Sequence, residues 1–270
     1  MYALDFEYDN VQLSDYNCII CDFDPPSGAD TASIGSEITF NKVPRLSGER
    51  FSLVGTQYDG CISASFDICK NPDIYEPADM EITSDEYRSL IKWLNRRQFL
   101  PLRFIDEDKM GDPGCYFNAS FNVEYIKING KLYGLRLKME TDSPFGYGDE
   151  VVLDYETLQE GDIKINVRSD YMGYIYPKVV ITCKSAENIE IRNDKTNASM
   201  KISNCKYNEK ITIDSQLQTI TSSLGRNVLQ DFNFTFPVLF NNLFDSINTI
   251  HINTGLKITI SYTPVIKYIF

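Results

Sequence analysis

Apolar and polar residues alternate along most of this chain, which is the pattern of half-buried β-strands. In the first half, short apolar or alternating runs predict strands over residues 16–23, 34–43 and 99–105. Residues 50–70 contain two further runs with Gln57-Tyr58-Asp59-Gly60 between them, and they predict a pair of half-buried strands joined by a turn. We therefore expect the first half to be mostly sheet.

One segment of the first half has the helical period instead. Thr83 is followed three residues later by Glu86, which is the spacing of a reciprocal capping pair and predicts a helix that starts there. We expect this helix to run to about Arg97 and to cover one face of a sheet. Its apolar residues recur at helical spacing, with Trp93 beside them: Tyr87, Leu90, Ile91 and Leu94.

A hairpin and a chain break follow the helix. Asn129-Gly130 is a strong signal for a two-residue turn, and it predicts a hairpin between residues 125–128 and 132–139. The Pro- and Gly-rich residues 143–149 then interrupt the last strand. This pattern predicts two domains, residues 1–145 and residues 146–270.

The second half contains strand and turn patterns and no convincing amphipathic helix. Turn signals recur about every ten residues, which is typical of a β-sandwich of the jelly-roll kind. The alternating positions that predict its strands are Val151 and Leu153, Ile163 to Val167, Val179 and Ile181, Ile189 and Ile191, Ile211 and Ile213, Phe232 to Phe236, and Ile258 and Ile260.

The net charge limits the classes of partner. With 26 Lys and Arg against 38 Asp and Glu, the formal charge is −12, which repels nucleic-acid phosphates and anionic lipid. We therefore expect neither nucleic-acid binding nor membrane binding. The acidic N-terminal residues do not have the pattern of a signal peptide, so we expect synthesis in a cytosol.

The seven cysteines predict free, buried thiols, because an odd number excludes a complete disulfide framework. Cys18 and Cys21 have the C-x-x-C spacing of redox and metal sites, but in a strand their sulfurs would point to opposite faces. We therefore expect no redox or metal site there.

No other residues predict catalysis or a cofactor. His251 is the only histidine, and its strand pattern places it on a surface opposite two isoleucines. The acidic loop with Asp106, Glu107, Asp108 and Asp112 does not have the spacing of a calcium loop, so we interpret it as solvated. Asp22 and Asp24 are poor candidates for a glycosidase pair. We expect no catalytic residue, no metal and no cofactor.

The order of motifs in residues 85–148 resembles the N-terminal domain of the distal tail proteins of long-tailed phages. The resemblance is carried by the helix with Trp93-Leu94, by Pro101-Leu102 and Phe104, by Asn129-Gly130, and by Pro144-Phe145-Gly146. It continues more weakly in the second half, through residues 211–214, 236–239 and 256–262. The chain departs from the family pattern at Asn241-Asn242, where many members have Gly-Asn.

The resemblance implies an N-terminal β domain with one helix and a hairpin, followed by a galectin-like sandwich. It also implies a hexameric ring of this chain in the virion tail, with a tail tube protein, a tail-associated hub protein and receptor-binding proteins as partners. A carbohydrate-binding module for host cell-wall polysaccharide is the alternative function, because jelly-roll sandwiches often bind glycans.

Overall fold

The computed structural model describes residues 4–23, 38–46, 48, 50–58, 60–105, 114–185 and 188–267. The predicted loop at residues 24–30 and the acidic loop from Asp106 to Asp112 lie outside the described residues, as does Asp24. Backbone contacts divide the chain into two compact units, residues 1–148 with 267–270 and residues 149–266. The fold is mainly β, with several antiparallel sheets and one α-helix among the described residues.

The first unit is built on a seven-stranded antiparallel sheet with the order β2-β1-β7-β8-β9-β6-β3. Strands β4 and β5 form a separate two-stranded ribbon. A 3₁₀ turn at Leu13–Tyr16 connects two strands, and another at Pro77–Asp79 lies between a strand and the α-helix. The described strands of this unit are β1 Asp5–Tyr8, β2 Val11–Gln12, β3 Cys18–Cys21, β4 Ile38–Pro44, β5 Phe51–Tyr58, β6 Ser63–Lys70, β7 Leu100–Ile105, β8 Phe117–Ile128, β9 Lys131–Thr141 and β10 Gly146–Tyr147.

The predicted helix is confirmed as α1, Ser84–Leu94, with its capping pair. The Thr83 amide donates to Glu86 Oε2 at 2.7 Å, and the Glu86 amide donates to Thr83 Oγ1 at 3.4 Å. The expected end near Arg97 is wrong, because Asn95 already leaves helical geometry. Sheet contacts hold the chain after Asn95: Ser120 Oγ donates to the Arg96 carbonyl at 2.9 Å.

The helix covers the sheet through Trp93, which lies between two other rings. Its indole is stacked on Phe6 at 5.6 Å and on Tyr16 at 4.9 Å between ring centroids. The indole Nε1 donates to the Tyr8 carbonyl at 3.0 Å, so the one polar atom of this buried side chain is satisfied. Burial also raises the pKa of the Tyr8 phenol to about 12. Helix and sheet thus share one core.

The hairpin predicted at Asn129-Gly130 is confirmed. It joins β8 to β9, and Ile128 faces Lys131 across the turn. Asn129 and Gly130 have φ values of 51° and 83°, the left-handed conformation that a type I′ hairpin turn requires at both central positions. Turn chemistry therefore fixes the register of the two longest strands of the sheet.

The expectation for residues 50–70 is wrong about pairing and burial. Strands form at Phe51–Tyr58 and Ser63–Lys70, but β5 pairs with β4, whereas β6 pairs with β3 and β9. Only β6 is partly buried in the core, and β5 is largely exposed. Alternation shows that a strand has one apolar face, but it does not identify the strand or molecule that covers that face.

The second unit is a sandwich of two antiparallel sheets, with the orders β11-β21-β14-β17-β18 and β12-β20-β15-β16. Strands β13 and β19 form an additional small sheet. Both large sheets contribute isoleucines to a single core. The described strands are β11 Val151–Thr157, β12 Gly161–Asn166, β13 Gly173–Ile175, β14 Lys178–Cys183, β15 Ile189–Asn193, β16 Ala198–Ile202, β17 Lys210–Asp214, β18 Thr219–Ser222, β19 Leu239–Asn241, β20 Ile247–Ile252, β21 Leu256–Tyr262 and β22 Val265–Ile266.

One predicted strand of the second half is wrong. Phe232, Phe234 and Phe236 do not form a strand; they follow a 3₁₀ turn at Val228–Asp231. Phe234 has a φ of 57° and is exposed, whereas the rings of Phe232 and Phe236 pack on each other at 5.0 Å. Phenylalanines at every second position can therefore also occur in a turn, in which only the first and third rings pack together.

A buried carboxylate ties the loops at one end of the sandwich together. Glu209 is fully buried and accepts from Arg226 Nε and Ser222 Oγ, both at 2.6 Å, and from the Lys206 amide at 2.8 Å. Burial alone would raise the pKa of Glu209, but these donors outweigh burial and hold the pKa below its ordinary value of 4.5. Asp231 binds the same guanidinium at 2.5 Å.

We expect Thr83→Ala to destabilise the first unit by about 1 kcal/mol, because the amides of the first helical turn lose their side-chain acceptor. Thr83→Ser keeps the hydroxyl and is the matched control. Thermal unfolding followed by circular dichroism should show a lower Tm for the alanine variant alone. Equal melting of the alanine and serine variants would contradict a stabilising cap.

We expect Glu209→Gln to destabilise the second unit by about 3 kcal/mol, because it leaves a half-buried guanidinium without its main carboxylate. Calorimetric melting measures the difference. Glu156→Gln, at the exposed pair with Lys184, is the matched control and should lower the Tm much less.

The Glu209 effect should also depend on pH. A depressed carboxyl pKa stabilises the fold above the unfolded-state pKa, and this stability is lost as the pH falls through the folded-state pKa. The difference in Tm between wild type and Glu209→Gln should therefore shrink as the pH falls below about 4.5. A constant difference would show that the carboxylate charge is not responsible.

Candidate assembly surfaces

The β4–β5 ribbon has one apolar face and one polar face. Opposite residues in an antiparallel pair lie on the same face, and the register pairs Ile38 with Tyr58, Lys42 with Leu53 and Pro44 with Phe51. A bulge after Asn41 inserts one extra residue into β5 and keeps this alternation in step. The more apolar face comprises Ile38, Phe40, Pro44, Phe51, Leu53 and Tyr58, together with Lys42 and Thr56, and the other face comprises Thr39, Asn41, Val43, Ser52, Gly55 and Gln57.

The apolar face of this ribbon is exposed in the single chain. Phe40 is 52% exposed, Phe51 60% and Leu53 58%, although residues of these types are normally buried. An isolated two-stranded ribbon is marginally stable in water, since it has no core of its own. A contiguous apolar face of this kind is typical of a protein-binding surface.

The base of the ribbon is attached to the first unit by the Pro144-Phe145-Gly146 motif. The Tyr58 ring contacts the buried Phe145 ring edge-on at 4.8 Å. Gly146 is required beside them, because a Cβ at this position would lie 2.3 Å from Cys115 Sγ. Pro144 is half-buried next to this contact. The motif thus positions the end of the ribbon.

The other motif residues belong to the core or to turns. Trp93, Leu94 and Leu102 are buried, and Phe104 packs its ring against Phe66 at 5.6 Å. Pro101 is exposed, and its carbonyl accepts from the Asp9 amide at 3.0 Å. Asn129, Gly130, Thr83 and Glu86 shape the hairpin turn and the helix start described above. These residues do not form one cluster.

The sequence motifs therefore mark the residues that hold the first unit together, whereas the exposed ribbon lies outside them. The signal that could have identified it is the pair of apolar runs at Ile38 and Phe40 and at Phe51 and Leu53. Those runs indicate a strand face that needs covering. They do not show that the covering comes from outside the chain.

The second unit has an exposed aromatic surface on the small β13–β19 sheet. Tyr174 pairs directly with Phe240, and their rings lie 5.3 Å apart. Tyr176 follows directly after β13 and is 51% exposed, while Tyr174 is 53% exposed. The opposite side of this sheet packs Leu239 into the core. Lys195 Nζ lies 5.9 Å from the Phe240 ring centroid.

His251 lies on the outer face of β20, between the buried Ile250 and Ile252, as predicted. Its Nδ1 is 2.8 Å from Asp162 Oδ1, and its Nε2 is 3.2 Å from Glu160 Oε1. The open depression around it is lined by residues 159–162 and contains no serine, threonine or cysteine. The arrangement lacks the nucleophile that a triad requires.

The described residues contain no group of three or more His, Cys, Asp or Glu side chains placed to hold a metal ion. In the same part of the chain, no helix has both the length and the apolar character needed to cross a membrane.

Comparison with known families identifies both halves of the chain. The family described as "Phage tail protein N-terminal domain" matches residues 1–143, and the family described as "Phage tail C-terminal domain" matches residues 145–262. The chain belongs to the phage tail proteins. Phage tail and baseplate proteins are components of the virion.

Solved structures of phage proteins share the fold of this phage tail protein. The Dit protein (gp 19.1) of phage SPP1, described as a paradigm of the hub adsorption apparatus in phages that infect Gram-positive bacteria, has a TM-score of 0.64 at 13% identity, over 96% of this chain and 98% of that chain. A chain of the phage P2 baseplate, in its activated conformation with Ca, has a TM-score of 0.51 at 10% identity over the full length of both chains. A search of curated proteins finds no match.

Proposed function

We propose that this phage tail protein is a non-enzymatic structural component of the tail tip, and that it forms a homo-hexameric ring. The ring joins the tail tube protein to the tail-associated hub protein and the receptor-binding proteins. In this assembly residues 1–145 form the ring and residues 146–270 form a sandwich domain that faces partner proteins. The fold shared with hub and baseplate proteins supports the proposal, and the exposed ribbon is the observation that carries it.

The ribbon supports assembly because a neighbouring copy would supply the apolar surface that the single chain lacks. Burying the exposed parts of its six apolar side chains would contribute on the order of 5 kcal/mol. Outside the ribbon, Tyr125 and Ile128 near the end of β8 are also exposed, one on each face of that strand, and they provide a second candidate surface. Two different surfaces on one chain are what a head-to-tail contact requires, and such contacts close into rings.

The ring is tested by the solution mass of the full-length protein, measured by light scattering after size exclusion. We expect a species near six times 30.9 kDa, with a central hole in negative-stain images. Phe40→Ser with Leu53→Ser should lower the mass to that of a monomer without changing the circular dichroism spectrum. Thr39→Ser with Gln57→Ser alters the polar face of the same ribbon and should leave the ring intact.

A monomer at every concentration, both alone and with purified tail tube protein, would contradict the ring. An unchanged ring in the Phe40 and Leu53 double variant would contradict the role of the ribbon while leaving the ring itself supported.

A second candidate function is binding of host cell-wall polysaccharide, favoured by the aromatic surface of the β13–β19 sheet. Exposed aromatic rings pack against the C–H faces of sugars, and Tyr174 and Tyr176 also present hydroxyl groups for hydrogen bonds. Phe240 and Lys195 border them. A site of this kind would let the second unit contact the cell wall while the first unit holds the ring.

Calorimetric titration with purified wall polysaccharide tests this candidate. Tyr174→Ala should weaken binding by about tenfold or more, since a stacked ring contributes roughly 1–2 kcal/mol. Tyr207→Ala removes a 68% exposed tyrosine elsewhere in the same unit and should bind as wild type does. Absence of binding by the wild-type protein would rule out the candidate.

A further inference from the structure

Four of the seven cysteines form two thiol pairs, one in each unit. In each pair the two thiols shift each other's pKa, and each pair joins segments that are distant in the sequence: Cys21 with Cys69, and Cys183 with Cys205. None of the seven cysteines is in a disulfide, as the sequence predicts, but their burial is unequal: Cys61 is exposed, and Cys21 and Cys115 are half-buried.

The register of the seven-stranded sheet places Cys21 and Cys69 together. Cys69 on β6 lies opposite Ile19, and Cys21 is two residues further along the same strand, so both side chains lie on one face. Cys18 lies opposite Lys70 and points to the other face, as the sequence predicts. The C-x-x-C motif is thus divided, and one of its thiols has a partner on the neighbouring strand.

The second pair lies in the core of the sandwich. Cys183 ends β14, and the loop that follows β16 carries Cys205 to it. Two backbone hydrogen bonds fix this loop beside the strand: the Asn208 amide donates to the Cys183 carbonyl, and the Cys183 amide donates to the Glu209 carbonyl, both at 2.9 Å. Both thiols are 1% exposed.

We propose that each pair is a cross-linking site, and that Cys21–Cys69 and Cys183–Cys205 close to disulfides when the protein meets a small-molecule disulfide such as oxidised glutathione. Closure would link β3 to β6 in the first unit and β14 to the 203–209 loop in the second. The two links would stabilise each unit separately by restricting its unfolded chain.

The reaction is two successive thiol–disulfide exchanges. A cysteine thiolate attacks the small-molecule disulfide, forms a mixed disulfide and releases one glutathione thiolate. The paired cysteine, after losing its proton to solvent, attacks the protein sulfur of that mixed disulfide and releases the second glutathione. Two protein thiols are oxidised and one glutathione disulfide is reduced to two thiols, so electrons and protons balance.

The interaction within each pair also favours one attacking thiol. Interaction with Cys21 lowers the pKa of Cys69, and interaction with Cys183 lowers the pKa of Cys205, while the pKa of Cys21 and of Cys183 rises. A lowered pKa increases the fraction of reactive thiolate. By contrast, burial raises the pKa of the unpaired Cys18 to about 12.

Access should set the order of closure. Cys21 is half-buried and Cys69 is 8% exposed, so a small disulfide can reach the first pair after a small local opening. The second pair is inside the core and requires a larger opening of the 203–209 loop. We expect the first pair to close earlier, and urea below the unfolding transition to accelerate the second.

The test uses full-length protein that is first reduced, then freed of reductant and incubated with oxidised glutathione. Free thiols are alkylated in denaturant, and the intact mass and the linked peptides are measured. We expect alkylation to fall from seven thiols to three, Cys18, Cys61 and Cys115, with linked peptides for both pairs. The oxidised protein should melt about 5 °C or more above the reduced protein.

Single variants assign each link. Cys69→Ala and Cys205→Ala should each remove one linked peptide and the corresponding gain in Tm between reduced and oxidised forms. Cys61→Ala, at the exposed and unpaired thiol, is the matched control and should keep both links. Comparing the reduced and oxidised forms of one variant cancels any effect of the substitution on packing.

Seven alkylated thiols after prolonged oxidation in urea would overturn the proposal. Linked peptides from other combinations, such as Cys18 with Cys69, or glutathione retained on unlinked cysteines would also overturn it. The result does not depend on ring formation, so a monomer that forms both links would contradict the ring and still support the cross-links.

Discussion

Each sheet of this protein has an apolar face, and the fold follows from how those faces are covered. Hydrophobic burial is the main favourable term in folding, so an uncovered sheet face is not stable. In the second unit the two large sheets cover each other. In the first unit helix α1 covers the seven-stranded sheet, and Trp93 makes the central contact by stacking on Phe6 and donating to the Tyr8 carbonyl.

The β4–β5 ribbon also has an apolar face, but the described part of the single chain leaves that face uncovered. Its apolar residues alternate with polar ones, and its bulge keeps six apolar side chains on one face, which Lys42 and Thr56 share. The ribbon is anchored through Tyr58 and Phe145, so it is part of the first unit and not a separate element. Since the chain leaves this face exposed, a surface that covered it would stabilise the ribbon.

The sequence predicted the elements whose causes are local. Thr83 and Glu86 lie three residues apart and stabilise the helix start by themselves, and Asn129-Gly130 readily adopts the type I′ turn that joins two strands in two residues. Elements that depend on contacts with distant residues were harder to predict from the sequence. The period of Phe232, Phe234 and Phe236 is that of a strand, but packing between the first and third rings produces a turn.

The candidate surface was also beyond local prediction. The alternation of β5 shows that one of its faces is apolar. A strand that paired with β6 in the same sheet would show the same alternation. Only the three-dimensional register shows that β5 pairs with β4 and not with β6.

The cysteines show how far a sequence motif can mislead about chemistry. The close pair Cys18 and Cys21 is separated by the sheet itself, because residues three apart in a strand point to opposite faces. The register instead brings Cys21 to Cys69, and the loop after β16 brings Cys205 to Cys183. Each unit therefore contains a pair of thiols between segments that the fold alone holds together. A structure exposed outside the cell has a physical use for such pairs, because a cross-link lowers the entropy of the unfolded chain and leaves the packed sheets unchanged.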